Sequence, residues 1–139
     1  MTLTPPEASV IEVDVRRALA EDIGDGDLTA RLLPPEQRCE AEIITRNDMV
    51  LCGRDWADAC FRALDPSVTI EWLHADGARL SADTRLCRIE GAARGIVSAE
   101  RSALNFLQTL SGTATTTRRY ADALAHSKTR VLDTRKTLP

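Results

Sequence analysis

No apolar run of about 20 residues occurs in the 139 residues, so no segment reads as a membrane-spanning helix. The first residues, Met1-Thr2-Leu3-Thr4-Pro5-Pro6-Glu7, have neither a basic start nor an apolar stretch and do not read as a secretory leader. No Cys-x-x-Cys pair is present, and only His74 and His126 could join cysteine in a metal site. The clustered soft ligands of structural zinc are therefore missing, and no metal site is expected here. Cys39, Cys52, Cys60 and Cys87 read instead as free thiols in a reducing compartment, which points to a cytoplasmic protein. Repeats and low-complexity tracts are also lacking. With 43% hydrophobic and 28% charged residues, the chain suits a globular fold of one compact domain, or one domain and part of another.

Lysine is scarce: sixteen of the eighteen basic residues are arginine. The net charge of −3 makes a general nucleic-acid binder a poor reading, but the charge is unevenly spread. Residues 1–100 hold 11 basic and 19 acidic side chains, whereas residues 101–139 hold seven basic and two acidic ones. An anionic ligand is expected at the cationic end.

Hydrophobic periodicity predicts a helix over Glu7–Ala20, with an apolar stripe of Val10, Val13 and Leu19 and the intervening Ile11 and Ala18. The acidic turn Asp22-Ile23-Gly24-Asp25-Gly26-Asp27 follows. A calcium loop starting at Asp25 would need Gly at its sixth place, where Ala30 stands, so a capped turn is the better account. Alternation of Cys39, Ala41 and Ile43 with Glu40 and Glu42 predicts a half-buried strand to about Arg46. Met49–Gly53 and Val68–Leu73 read as further strands, and Arg54–Leu64 between them as a helix stopped by Asp65-Pro66. Thr84–Glu90 and Ala93–Val97 read as two short strands. Ser98 is then a plausible N-cap, Ser111-Gly112 an interruption, and Thr113–His126 a second helix with Thr117, Tyr120, Ala121 and Leu124 along one face. Thr129–Asp133 reads as a last strand.

The strongest chemical signal is Asp133-Thr134-Arg135-Lys136-Thr137, directly after that strand. Loops at strand carboxyl ends form active sites in α/β folds. Arg135 can grip an oxyanion through two parallel hydrogen bonds, and Lys136 adds a compact charge. A solvated loop with a casual Arg-Lys pair is the competing account. Arg101, Asn105 and Gln108 share a helix face, on which Arg101 is either a surface cation or a ligand contact.

At these residues the chain resembles the quinolinate phosphoribosyltransferase family. The resemblance lies in Glu21-Asp22-Ile23-Gly24-Asp25-Gly26-Asp27-Leu28-Thr29, in the run from Glu100-Arg101-Ser102 to Gly112-Thr113-Ala114-Thr115, and in Asp133-Thr134-Arg135-Lys136-Thr137. It implies an α+β protein: an amino-terminal open-faced β-sandwich with helices, then the first strand of an α/β barrel. The corresponding division is an amino-terminal helix and acidic turn over 1–30, the sandwich over 31–98, and linking helices with the barrel's first strand over 99–139.

The same resemblance implies a reaction. Quinolinate and phosphoribosyl pyrophosphate would give nicotinate mononucleotide, carbon dioxide and pyrophosphate, with Mg2+ held by residues beyond 139. Arg135 would bind a quinolinate carboxylate, and Lys136 would lie near both substrates as the catalytic cation. Thr134 and Thr137 would line the same loop, and Arg101 would reach into the site of a second subunit of a homodimer. Because a barrel cannot close from one strand, the 139 residues alone are expected to be inactive. The alternatives are a non-catalytic dimerisation or anion-binding module, and a related transferase acting on another substrate.

Overall fold

A computed structural model of the chain describes residues 6–132. Helix α1 (Ala8–Ile23) leads through a short 3-10 turn (Ala30–Leu32) to strand β1 (Arg38–Ile44). Strand β2 (Met49–Val50), helix α2 (Arg54–Leu64), and strands β3 (Thr69–Trp72), β4 (Arg79–Leu80) and β5 (Arg85–Ala92) follow. Helix α3 (Ala93–Ala123) is the longest element, with 31 residues.

β5 is the centre of an antiparallel three-stranded sheet in the order β1-β5-β3. Two rows cross it on the inner face: Ala41 opposite Ile89 opposite Ile70, and Ile43 opposite Cys87 opposite Trp72. These side chains join Cys60 and Phe61 of α2 and Ile96, Ala99, Ala103 and Leu107 of α3 in one core. Burying each of the larger ones stabilises the fold by roughly 1.5–3 kcal/mol. The outer face carries the alternate residues, with Glu42 opposite Arg88 opposite Glu71. Glu42 pairs there with Arg85 at 2.9 Å, and that face meets no helix among the described residues. The α+β sheet with helices on one face is the expected open-faced arrangement. β2 and β4 form a separate two-stranded ribbon.

Several expectations need correction. Ala93–Val97 is not a strand but the first turn of α3. Its Ala93 and Ile96 are buried and continue at helical spacing into Ala99, Ala103 and Leu107, and that stripe decides the conformation. Ser98 consequently lies inside the helix and caps nothing. Ser111-Gly112 does not break α3 either. The buried Ser111 hydroxyl accepts from the Cys52 amide and donates to the Cys52 carbonyl, both at 3.0 Å, so the helix gains a tertiary anchor where propensity is poor. The expected barrel strand over Thr129–Asp133 is not among the corrections: residues 129–132 have no partner strand among the described residues, and Asp133 lies outside them. On α1 the buried residues are Ile11, Val15 and Leu19, while Val10 and Val13 face solvent. Tyr120, expected on an apolar stripe, is 62% exposed.

The direction of α3 is set at its start. Asp65, buried at the end of α2, accepts hydrogen bonds from the Ser67 amide and hydroxyl and, at 2.7 Å, from the Ala92 amide. At the other end, Thr115 accepts from the Val50 amide at 2.9 Å and Arg79 forks onto Asp122 at 2.8 and 2.9 Å. The amide and hydroxyl ties hold the helix against both the sheet and the ribbon.

Candidate anion-binding site

The polar face anticipated on α3 exists. Arg101, Asn105 and Gln108 line one groove, of about 590 Å³, with Asp22, Gly26, Asp27 and Thr29 on its opposite wall. The wall is the acidic turn after α1, and its geometry follows from its residues. Gly26 has φ near +144°, a backbone region that a side chain disfavours, and this lets the chain fold back sharply. Asp27 then spends both carboxylate oxygens locally: Oδ1 accepts from the Ala30 amide at 3.0 Å and Oδ2 from the Ser98 hydroxyl at 2.7 Å. The Ala30 amide above all, and then the Ser98 hydroxyl, hold the Asp27 carboxyl below the usual carboxylate range. The capped turn predicted from the sequence is therefore present, and it is also fastened to α3.

A second tie joins the same two elements one helical turn further on. Asp22 Oδ1 lies 3.2 Å from Arg101 Nη1. Burial of the two partners differs sharply: the Asp22 side chain is 16% exposed and that of Arg101 77%. The carboxylate is thus built into the wall, while the guanidinium stands out into solvent. Arg101 also borders a second groove, of about 640 Å³, between α1, α2 and α3, floored by Trp56 and Phe106 with ring centroids 6.5 Å apart.

The charge of these grooves is decisive for what they can do. Asp22, Asp27 and Glu100 surround Arg101 in the first, and Asp14, Glu21 and Asp22 in the second. Three carboxylates against one guanidinium repel an anion, so neither groove by itself suits a multiply charged anionic ligand. Arg101 can serve an anion only by projecting away from its own surroundings. The loop residues Thr134, Arg135, Lys136 and Thr137 lie outside the described residues, so they are not brought to Arg101 here. Asp22 went unnoticed as a partner of Arg101 in the sequence. The one available signal was the i to i+3 spacing of Ser98 and Arg101, which presents a donor pair to any acidic loop packed beside it.

The model of the family described as quinolinate phosphoribosyl transferase, N-terminal domain, matches residues 27–111. The chain belongs to this family. Among curated relatives, the chloroplastic carboxylating nicotinate-nucleotide pyrophosphorylase of Oryza sativa is 42% identical over 127 residues, covering 90% of this chain and 34% of the relative. A probable enzyme of the same name from Synechocystis is 37% identical over all of this chain and 47% of its own length. The solved nicotinate-nucleotide pyrophosphorylase of Francisella tularensis superposes with a TM-score of 0.94 at 40% identity, over 100% of this chain and 50% of that one. NadC from Streptococcus pyogenes gives 0.93 at 31% identity, over 99% of this chain and 49% of that one. The chain therefore spans a third to a half of the length of these relatives. The residues that match the family's N-terminal domain run from the acidic turn through the sheet and well into α3.

Proposed function

We propose that this chain serves the transfer of a phosphoribosyl group from phosphoribosyl pyrophosphate to quinolinate, with loss of carbon dioxide, giving nicotinate mononucleotide for NAD biosynthesis. The names of the family and of its relatives support the reaction, and the observation that carries the site is Arg101 itself. It is an exposed guanidinium whose own grooves are acidic, which suits a cation delivered to another surface. The proposed working unit is a homodimer. Arg101 of one copy meets the loop of Thr134, Arg135, Lys136 and Thr137 in the other, and the linking helix α3 aims it there.

The physical task fits those residue types. Two polyanionic substrates repel each other, and guanidinium and ammonium groups offset that repulsion while holding the pyridine nitrogen in line with the ribose carbon. Arg135 and Arg101 suit carboxylate forks, and Lys136 a point charge between the substrates. Magnesium ions would neutralise pyrophosphate charge. Among the described residues no group of three carboxylate, thiol or imidazole side chains could hold a metal. Free thiols at all four cysteines are in keeping with a cytoplasmic enzyme, and among the described residues no helix is long and apolar enough to cross a membrane.

Mixed dimers test the shared site. In the full-length enzyme, Arg101→Ala and Lys136→Ala are each expected to abolish most turnover. Mixing the two and allowing exchange pairs intact Arg101 with intact Lys136 in one site of each heterodimer, restoring about a quarter of the activity of the unsubstituted enzyme. Mixtures as inactive as their parents, with exchange verified by mass, refute the composite site.

A further inference from the structure

We infer that Asp22 is a positioning residue for substrate binding: it holds the Arg101 guanidinium in the orientation that receives a carboxylate. The inference rests on the reading of Arg101 as a substrate-binding group and adds the residue that makes this possible. An exposed arginine on a helix samples many rotamers, and a ligand that needs one of them must freeze the rest. Here the pairing partner lies in the last turn of α1 with its side chain only 16% exposed, so its own rotamers are restricted by its surroundings. Nη1 is the guanidinium nitrogen nearest Asp22, in an ion pair rather than an aligned hydrogen bond. Of the five donors of a guanidinium, the edge formed by Nε and Nη2 remains for a second, incoming carboxylate. The Asp27–Ser98 hydrogen bond at 2.7 Å separately fastens the same turn to α3, so removing the Asp22 charge leaves the wall in place.

Two effects of neutralising Asp22 oppose each other, and their sizes decide the sign. Releasing Arg101 to its full rotamer freedom weakens binding by up to about thirtyfold. Removing a carboxylate from the far side of the guanidinium, in water-like surroundings, strengthens binding of an anion by about threefold. With the arginine fully held, positioning wins and the net loss reaches about tenfold at most.

The test is steady-state kinetics of the full-length enzyme, its Asp22→Asn, Asp22→Glu and Arg101→Ala variants, and the Asp22→Asn/Arg101→Ala double variant. Asp22→Asn is expected to raise KM for quinolinate by up to about tenfold with kcat and melting temperature little changed, and Asp22→Glu to restore part of the loss. In the double variant the Asp22 substitution is expected to add nothing to Arg101→Ala, because its effect runs through that side chain. An Asp22→Asn enzyme with unchanged or lower KM, an additive double variant, or a loss that merely tracks melting temperature each overturns the inference. Unchanged kinetics in Arg101→Ala instead overturns the reading on which it stands.

Discussion

Replacing Asp65 with Asn removes one negative charge at the point where α2, β5 and α3 meet. The carboxylate accepts three hydrogen bonds, two from Ser67 and one from the Ala92 amide at 2.7 Å. Ser67 is exposed and can turn to water, so its two bonds contribute little net. The Ala92 amide is part-buried, and an amide nitrogen of Asn must face one of the existing donors. A charge-assisted bond lost beside a poorly matched donor costs about 3 kcal/mol, on the order of 10 °C in melting temperature for a chain of this size. The Ser67 hydroxyl first, then the Ala92 amide, hold the Asp65 carboxyl below its ordinary value of 3.8. A depressed folded-state pKa contributes stability that is complete above the unfolded value, near 4, and is lost as pH falls through the folded value. The gap between the natural protein and Asp65→Asn, measured by urea unfolding, should therefore be wide at pH 7 and narrower at pH 3. A gap under about 0.5 kcal/mol at pH 7, or one that is as wide at pH 3, refutes this account of how α3 is anchored.

Two further outcomes follow from the core. Cys60 and Cys87 are fully buried, and burial pushes both thiols up to about 12, whereas Cys39 and Cys52 are only partly covered. A thiol reagent at pH 8 should modify Cys39 and Cys52 in the folded protein and the other two only in denaturant; mass mapping showing native modification of Cys60 or Cys87 contradicts the packing. Gly53 has φ +104°, and a Cβ there would stand 2.9 Å from Leu110 Cδ1. Gly53→Ala should destabilise by about 2 kcal/mol through backbone strain and crowding of α3, and an unshifted thermal midpoint would count against the close approach of α2's start to α3.

Elements whose period was unambiguous were legible from the sequence. Glu40 and Glu42 alternate with apolar neighbours, and β1 is where that pattern placed it. Asp65-Pro66 ends α2 as the restriction on the residue before proline requires. The misreadings share a cause: local preference was overruled by what lies across the fold. Ile96 and Val97 are β-branched and short of context, so a strand was a fair reading until the buried Ala99 and Ala103 extended the stripe backwards. Serine and glycine at 111–112 cost helix propensity of about 1 kcal/mol, yet Ser111 recovers it through Cys52, a residue no local rule pairs with it. On α1 the periodicity puts Val10 and Val13 on the apolar stripe with Leu19, whereas the fold buries Ile11, Val15 and Leu19, because nothing within the helix says which side its neighbours cover.

The site shows the same division between short-range and long-range information, with a change of sign. Helical spacing alone brought Arg101, Asn105 and Gln108 to one face, and the groove confirms that geometry. Regional charge suggested a basic end from Arg101 onward, but the immediate surroundings of Arg101 are acidic because the turn after α1 folds against it. Charge summed along a chain reports solubility and long-range steering, whereas ligand affinity is set within a few ångströms by whichever elements pack there. An arginine in acidic surroundings is usually an ordinary surface ion pair of little consequence. What sets Arg101 apart is the mismatch in burial, a mostly covered carboxylate beside a guanidinium that is largely open to solvent. On the proposed reading, a group so disposed meets its anion beside the Arg135-Lys136 pair of a second copy.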